Sequence, residues 1–390
     1  TLTPYAGQLY KMLFKKKKQR WNNLRQYKVE VLLDNSVDKD IQSILLPLNL
    51  MQNITLCPKY SIRDNFITPT SAAYNIVALC ATIACMAVIV YRAYVFPSDT
   101  FNIIIRVNLV FSPYYDVCFY SIGFALNYFL SVYHTKRNIL FVLTYQVVHK
   151  FLKDETEMQK NCSFFVIWNW SCFLVIVLFY SIMVGYINNE QNMPLYNFIC
   201  NLLLIFFDFN TLSAIGLVKL LVEKAFLWNI KIQSLHSMQD SDEVKCKQML
   251  KAYVNILQCY DNYKLSFQLP ILYYTMDIIS HGLMYIKVGI DVSKVFTYSL
   301  LNVSLSAWLS KSLLLTIILS RSCEQFYAEI NKIQDTYAEK KLCKNIRRLH
   351  RSSFSRMSAC GVFYVDAKLP LSLLGLITNY TVVFLQFAFL

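Results

Sequence analysis

The chain has 390 residues, of which 56% are hydrophobic and 15% aromatic but only 16% charged. This composition excludes an ordinary soluble multidomain protein, and the low content of glycine and proline (8 and 9 residues) excludes a low-complexity or linker-rich chain. The net charge of +14 is typical of basic residues that flank membrane spans, so we expect no nucleic-acid partner.

Long apolar stretches recur along the whole chain, and each is close to the length that a helix needs to cross a hydrocarbon layer about 30 Å thick. They lie at 71–91, 107–131, 163–187, 195–218, 268–286, 295–320 and 369–390. Their charged residues are Asp116, Asp208, Asp277 and Lys311. The sequence therefore predicts an all-α polytopic membrane protein with seven transmembrane helices. The first six would form a ligand-binding bundle over 71–320, and the seventh would be 369–390.

Residues 1–70 are predicted to form a cytoplasmic tail. The first 30 residues are polar and rich in lysine, without the apolar core of a signal peptide. The lysines at 15–18 are suited to contact anionic lipid headgroups, so membrane lipid is an expected partner. Residues 41–56 are apolar but contain Pro47 and are too short to span, which indicates a helix lying in the membrane interface.

Three long polar segments separate the spans, at 132–162, 219–267 and 321–368. The last two show helical periodicity, so we expect the fourth, fifth and sixth helices to continue beyond the membrane as intracellular extensions. Residues 321–368 would then anchor the last span. The side that carries these segments and the basic tail holds most of the lysines and arginines, which predicts a cytoplasmic N-terminus and an extracellular C-terminus.

Signatures of catalysis are absent from the sequence, including phosphate-binding loops, the nucleophile elbow and the zinc-protease motif. The 12 cysteines are scattered, without a C-x-x-C pair or a Cys/His cluster at zinc spacing. We therefore expect no enzyme, no cofactor and no metal site.

The last span carries a narrow stripe of small and polar residues along one helical face. With 3.6 residues per turn, this face holds Ser372, Gly375, Asn379, Val383 and Gln386. One interpretation is a helix–helix contact held by polar side chains. The other is the wall of a water-filled pore, which requires several copies of the chain.

A resemblance to a known family begins at the same helix. Tyr380 is followed by five residues and then by Gln386 and Phe387, which resembles the C-terminal signature of insect gustatory receptors: Thr-Tyr, five hydrophobic residues, Gln-Phe. Residues 358–366 also resemble that family's approach to its seventh helix. Two departures stand out. Asn379 replaces the Thr, and Thr381 stands where the sugar-receptor branch usually carries Glu.

The resemblance implies a ligand-gated, non-selective cation channel in the plasma membrane of chemosensory neurons. Such a channel is a homotetramer or assembles with other gustatory receptor subunits, and its seventh helices line one central pore. Gln386 and Phe387 would form the outer constriction, with Val383, Asn379 and Tyr380 on the same pore-lining helix. The absence of Glu after Tyr380 favours the divergent branches, tuned to bitter or plant secondary compounds as small-molecule tastants.

The charges inside the spans suggest where a ligand binds. Each costs about 2.5–3.5 kcal/mol on insertion and therefore needs a partner, water or a ligand. Asp277 and His281 share one face of the fifth span at i, i+4 spacing. The predicted pocket, between the outer halves of spans two to six, is lined by Asp116, Tyr115, Asp277, His281, Tyr285, Asn302 and Trp308. The alternative is mutual pairing, in which Lys311 neutralises Asp116, Asp208 or Asp277, and we favour it for Lys311 and Asp208.

Other classes of membrane protein match parts of this pattern. An odorant-receptor-like channel has the same architecture but a different C-terminal signature, and a sugar-sensing gustatory receptor differs mainly after Tyr380. A G-protein-coupled receptor has the opposite topology, and its D-R-Y and N-P-x-x-Y motifs are missing. A secondary transporter usually shows internal repeats and helices broken by Gly or Pro, whereas this sequence has no internal repeat and few glycines.

Overall fold

The computed structural model describes residues 35–95, 103–152, 155–191, 195–237, 243–293, 300–336 and 341–389. Most of the predicted tail, residues 1–34 with the lysines at 15–18, lies outside this part. The described residues form α-helices and two short β-hairpins. In chain order the elements are α1 (Lys39–Ile54), β1 (Ser61–Arg63), β2 (Phe66–Thr68), α2 (Ala72–Val95), α3 (Ile103–Leu152), α4 (Glu155–Gln191), α5 (Leu195–Leu203), α6 (Ile205–Ser237), α7 (Glu243–Ser293), α8 (Leu300–Thr336), α9 (Lys341–Ser353), β3 (Ser358–Ala359), β4 (Phe363–Tyr364) and α10 (Leu369–Phe389).

Five helical segments of the described chain are long and apolar enough to cross a membrane. They are Ala72–Val95, Ser163–Met183, Leu195–Gln233, Val303–Lys332 and Leu369–Phe387. The all-α class and the membrane character predicted from the sequence are therefore confirmed at this level. The remaining predicted spans, 107–131 and 268–286, are helical parts of α3 and α7. They are more polar, because each carries an aspartate among several tyrosines and serines.

Several helices are much longer than a span. As expected, α6, α7 and α8 continue past the predicted ends of spans four to six. Helix α3 does the same and is 50 residues long. It includes residues 139–148, a short apolar run inside the polar segment 132–162. That run is buried on most sides, as the exposures of Ile139, Val142 and Tyr145 show.

These continuations pack together into a helical unit that we call the extension bundle: residues 132–152 of α3, 219–237 of α6, 243–267 of α7, 321–336 of α8 and helix α9. Its core is aromatic, with Trp228, Tyr253, Tyr260 and Phe326 almost fully buried. The indole Nε1 of Trp228 donates to the Met249 carbonyl at 3.0 Å, which satisfies its one buried donor.

Helix α1 forms in the segment predicted to lie in the membrane interface. Its apolar face, including Ile41, Ile44 and Met51, is buried against α4 and α6. The Asn169 amide of α4 donates to the Ile44 carbonyl at 3.2 Å. This face is therefore covered by the protein itself, while Leu46 and Ile54 on the other side are exposed.

The predicted fourth span, 195–218, is divided in two by a turn at Leu204 that separates α5 from α6. Around this turn the backbone N–H of Leu204 donates to the Asn201 carbonyl, and that of Phe207 donates to the Leu204 carbonyl. Each of these hydrogen bonds joins residues three apart in the chain, as in a 3₁₀-helix, and makes the turn tighter than in an α-helix. Helix α5 packs on α2, where Tyr196 meets Tyr91 edge to face.

Two hairpins interrupt the helices. In the first, Asp64 and Asn65 both have positive φ, the geometry of a two-residue hairpin turn. In the second, β3 pairs with β4, and the turn contains Cys360 and Gly361 at φ 52° and 83°. This second hairpin lies within 321–368, where the last described helix before it ends at Ser353.

Candidate functional site

Four helices, α2, α3, α7 and α8, meet around His281, which is fully buried on α7. Its Nε2 lies 3.1 Å from Asp116 Oδ1 of α3 and makes a hydrogen bond there. Its Nδ1 lies 2.7 Å from Asp277 Oδ1, one turn earlier on α7, but this contact is an ion pair by distance and lacks hydrogen-bond alignment. Arg92 of α2 reaches to 3.9 Å from the second oxygen of Asp116. We call Arg92, Asp116, Asp277 and His281 the imidazole cluster.

Aromatic rings enclose the imidazole cluster. Tyr120 stacks on the imidazole with centroids 4.8 Å apart and planes 12° from parallel. Phe119 and Tyr115 of the same helix meet it edge-on at 5.0 and 5.3 Å. Tyr285 and Trp308 close the other sides at 5.8 and 6.2 Å. A ligand that reaches the two carboxylates therefore has to displace one of these rings.

Most residues of the predicted pocket are thus brought together. Those that meet are Tyr115, Asp116, Asp277, His281, Tyr285 and Trp308. Asn302 lies in α8, but its side chain falls outside the part of the chain that the structure describes. Two residues of the site were not predicted from the sequence: Arg92, which follows the predicted first span, and Tyr120. The i, i+4 spacing of Tyr120 from Asp116 was the available signal.

A second cluster of buried polar side chains connects α4, α6, α7 and α8. Lys311 Nζ lies 2.5 Å from Asp208 Oδ2, which also accepts a hydrogen bond from the Tyr180 hydroxyl at 2.7 Å. The Tyr274 hydroxyl donates to the other oxygen, Oδ1, at 3.3 Å. Lys311 also lies 3.1 Å from the Tyr180 hydroxyl. We call these four residues the ion-pair cluster. Of the pairings that the sequence allowed for Lys311, the structure contains the one with Asp208.

The predicted pore stripe on α10 is exposed along its length. Ser372, Gly375, Asn379, Val383 and Gln386 are all exposed, and Tyr380 and Phe387 are exposed beside them. The phenyl ring of Phe387 is 78% exposed. A Cβ atom added at Gly375 would meet nothing within 4 Å. In a single copy of the chain, this stripe therefore faces away from the protein.

The opposite face of α10 holds the helix to its own subunit. Leu369, Leu373 and Ile377 are buried, and they pack against α7 and α8. Gly282, the residue after His281, faces this contact, because a Cβ added there would lie 3.8 Å from Ile377 Cδ1 and 3.2 Å from Leu309 Cδ1. The imidazole cluster and α10 are therefore separated by one residue of α7.

Two carboxylates, one imidazole and one guanidinium inside an aromatic enclosure suit the recognition of a small polar or cationic molecule, through charge-assisted hydrogen bonds and ring faces. Among the described residues, no group of three or more His, Cys, Asp or Glu side chains is arranged to hold a metal ion. Comparison of the chain with protein-family models and with curated proteins finds no match in either set.

Proposed function

We propose that this chain is a subunit of a ligand-gated, non-selective cation channel of the gustatory-receptor type. In this proposal seven helices span the plasma membrane, with the N-terminus cytoplasmic and the C-terminus extracellular. Four copies surround a pore lined by α10, and a small tastant, a bitter or plant secondary compound, opens it. The proposal joins the resemblance of the C-terminal motif to the arrangement of the two faces of α10.

The exposed polar stripe of α10 is the observation that carries the proposal. An amide side chain facing hydrocarbon is unfavourable unless it finds water or a polar partner. Asn379 and Gln386 are exposed on a helix whose other face is packed. Copies of α10 around a central axis would bring both amides into contact with water in the pore. The Phe387 ring at the end of the helix would narrow the pore and exclude water there.

The imidazole cluster favours a protonated amine as the ligand. Two aspartates there face one imidazole and one distant guanidinium, and aromatic rings surround them. A ligand ammonium is attracted by carboxylates and by the faces of Tyr and Trp rings. A neutral sugar gains neither of these two attractions. This agrees with Thr381, which stands where the sugar-receptor branch usually carries a glutamate.

Helix α7 supplies a short path from ligand to pore. A ligand that displaces a ring beside His281 shifts the neighbouring Gly282, and Gly282 packs on Ile377 of α10. The shift in the open–closed equilibrium is limited by the difference in ligand affinity between the two states. The ligand must therefore make its better contacts in the state in which α10 has moved.

The pore assignment is tested by thiol labelling of cysteine variants in a cell line that expresses the full chain. Val383 lies on the stripe and Val382 lies about 100° around the helix, yet their exposures are similar at 40% and 48%. A charged thiol reagent should block agonist-evoked current through V383C and leave V382C unaffected. The unmodified chain, with exposed Cys80, Cys118 and Cys360, is the background control.

Equal block of both variants, or of neither, would contradict a pore lined by the stripe. Q386A and F387A give a second measurement, since loss of the ring at the constriction should raise the current without agonist. If both variants have unchanged basal and evoked currents, Gln386 and Phe387 do not form the outer gate. A C-terminal epitope that is detected only after permeabilisation would contradict the orientation.

The ligand class is tested separately, with calcium imaging against matched compounds. Plant alkaloids that carry a protonated amine should evoke responses, and neutral sugars should not. D277N should weaken the response to amines by at least ten-fold in half-maximal concentration, because a buried charged pair contributes roughly 1.5–3 kcal/mol. An equal response of D277N and the unmodified chain would place the ligand elsewhere.

A further inference from the structure

A groove between α8 and α10 forms a cavity outside the imidazole cluster. It has a volume of about 540 Å³, within the range of small-molecule sites. Its walls are made by Leu313, Ile317, Ser320, Arg321, Glu324, Gln325 and Ala328 of α8 and by Ala367, Pro370, Leu371 and Leu374 at the start of α10. Both walls belong to segments apolar enough to span a membrane, apart from Ala367 just before α10.

The groove changes from apolar to charged along its length. At one end, Leu313, Ile317 and Leu374 offer only hydrocarbon. At the other end, Arg321, Glu324 and Gln325 follow on the next turns of α8. From Leu313 to Arg321 is eight residues of helix, about 12 Å, close to the roughly 15 Å of hydrocarbon in one leaflet. The groove therefore matches the acyl region and the headgroup of a single leaflet.

The charged end carries a surplus of positive charge. Glu324 is held by Arg356 at 3.6 Å, and Arg356 also lies 3.9 Å from Asp366. Arg321 is exposed and has no ion-pair partner among the described residues. Lys368 adds a further exposed cation just before α10. An anion near Arg321 is therefore not repelled strongly by Glu324, whose charge Arg356 neutralises. The Arg321 guanidinium can form two parallel hydrogen bonds with a phosphate group.

Neighbouring side chains place this end at headgroup depth. Trp168 of α4 lies under Lys219 Nζ of α6, with 3.3 Å from the ammonium to the ring centroid. Lys219 in turn is near enough to Arg321 to be repelled by it. Tryptophan with lysine and arginine at the end of a span is typical of the membrane–water boundary.

We propose that the groove between α8 and α10 is a binding site for one anionic phospholipid, with its phosphate on Arg321 and an acyl chain along Leu313, Ile317 and Leu374. This site faces the leaflet on the side of the extension bundle, which in the proposed orientation is the cytoplasmic leaflet, where anionic lipids concentrate. The site rests on the groove and its charge, and it does not require that the chain be a channel.

The test is native mass spectrometry of the full chain, purified in detergent and mixed with equal amounts of phosphatidylserine and phosphatidylcholine. One phosphatidylserine per chain should persist after gentle activation, in excess over phosphatidylcholine. R321Q should reduce the bound phosphatidylserine about five-fold, the contribution of one basic residue at a membrane surface. R351Q, at an exposed arginine of α9 outside the groove, should leave it unchanged.

L371W supplies a second variant, because Leu371 is 72% exposed and a larger ring there fills the groove without entering the protein core. It should displace both lipids while the thermal unfolding midpoint stays within a few degrees. Retention of phosphatidylserine by both R321Q and L371W would overturn the site. Equal binding of the two lipids would overturn the role of Arg321. Crosslinking of I317C to L371C between copies, without bound lipid, would show that a second chain occupies the groove.

Discussion

The ion-pair cluster and the imidazole cluster are both buried and both joined by α7, yet they differ in how completely their polar atoms are paired. In the ion-pair cluster one carboxylate meets one ammonium, and both oxygens of Asp208 have hydrogen-bond donors. In the imidazole cluster two carboxylates share one imidazole, Arg92 stays at 3.9 Å, and Asp277 Oδ1 lacks an aligned donor.

This difference agrees with a structural role for the ion-pair cluster and with the proposed binding role of the imidazole cluster. A network whose members are all satisfied fixes the packing of the helices that contribute to it, and it has nothing left to offer a ligand. A network in which a carboxylate oxygen lacks an aligned donor, as Asp277 Oδ1 does, can still accept a hydrogen bond from a ligand. Perturbed and incompletely paired buried groups concentrate at functional sites for this reason.

The largest expected effect comes from breaking the ion-pair cluster on one side. K311M leaves Asp208 buried without its cation, and removing one partner of a buried pair costs about 3–5 kcal/mol. We expect the variant to accumulate poorly and to unfold at a much lower temperature in detergent. The measurement is the yield of monodisperse protein by size-exclusion chromatography.

The double variant D208N/K311M is the control for this prediction. Because both charges are then absent, most of the lost stability should return, since replacing a whole buried pair by neutral groups is often close to neutral. If the double variant is as unstable as K311M, the loss of stability does not come from an unpaired Asp208 charge. The ion-pair cluster would then not be the fully paired structural network that the comparison assumes.

A smaller effect is expected where α3 packs closely against α6 and α7. Gly123 of α3 allows Tyr273 to approach so closely that an added Cβ would lie 2.3 Å from the hydroxyl oxygen and 2.7 Å from Phe207 Cε1. Tyr273 donates to the Phe119 carbonyl at 3.0 Å, so it cannot withdraw freely. G123A should therefore reduce the free energy of unfolding by about 1–3 kcal/mol.

G375A is the matched control for G123A. Its new methyl group meets nothing within one copy of the chain, and alanine is the better helix former by roughly 1 kcal/mol. Its unfolding midpoint should be equal or higher, while the conductance of the assembled channel changes. A large loss of stability in G375A would show that this face of α10 is packed in a way that the single chain does not contain.

At the imidazole cluster, substitution should alter function more than stability. D277N preserves the shape of a carboxylate whose Oδ1 lacks an aligned donor. We expect its unfolding free energy to stay within about 1 kcal/mol of the unmodified chain, while amine responses weaken. If D277N destabilises the chain as strongly as K311M, the imidazole cluster is a second structural network, and the contrast between the clusters disappears.

The smallest effect concerns Lys59, whose buried ammonium has no carboxylate partner in the part of the chain that the structure describes. Lys59 places its ammonium over the Phe267 ring at 3.6 Å, in the loop before β1 and near His134. Burial lowers the pKa of Lys59 from 10.5 to about 7. The unfolded chain therefore binds more protons between about pH 7 and 10.5, and the unfolding free energy rises with pH across this window.

K59M should remove this pH dependence and raise the unfolding midpoint by a few degrees at pH 6, where the native ammonium is charged and buried. The exposed lysine of α1 supplies the control K39M, which should change neither. A midpoint of K59M that follows pH in the same way as the unmodified chain would show that another group causes the dependence.

Hydropathy predicted the helical class and the five most apolar spans because long uncharged stretches leave few alternatives in a bilayer. It also predicted the continuation of α6, α7 and α8, through periodic apolar residues. It did not predict that α3 runs on through residues 139–148, because local apolarity does not reveal whether a short run ends a helix or prolongs one.

The sites were predictable only where the signal was local. The i, i+4 pair of Asp277 and His281 sits on one helical face by geometry alone, and the structure adds Asp116 from α3. Arg92 was missed because its position depends on how α2 packs, which no local pattern encodes. The turn at Leu204 was missed for a related reason, since neither Gly nor Pro marks it.

The second hairpin has a consequence for the motion of α10. The Tyr327 hydroxyl of α8 accepts from the Met357 amide and donates to the Val365 carbonyl, which ties both sides of the hairpin to α8. The start of α10 is thereby held to α8, and in the proposed channel this point would be the pivot about which the helix tilts. From Leu369 to Gln386 the helix is about 25 Å long, so a tilt of a few degrees about this pivot would displace Gln386 by about 2 Å.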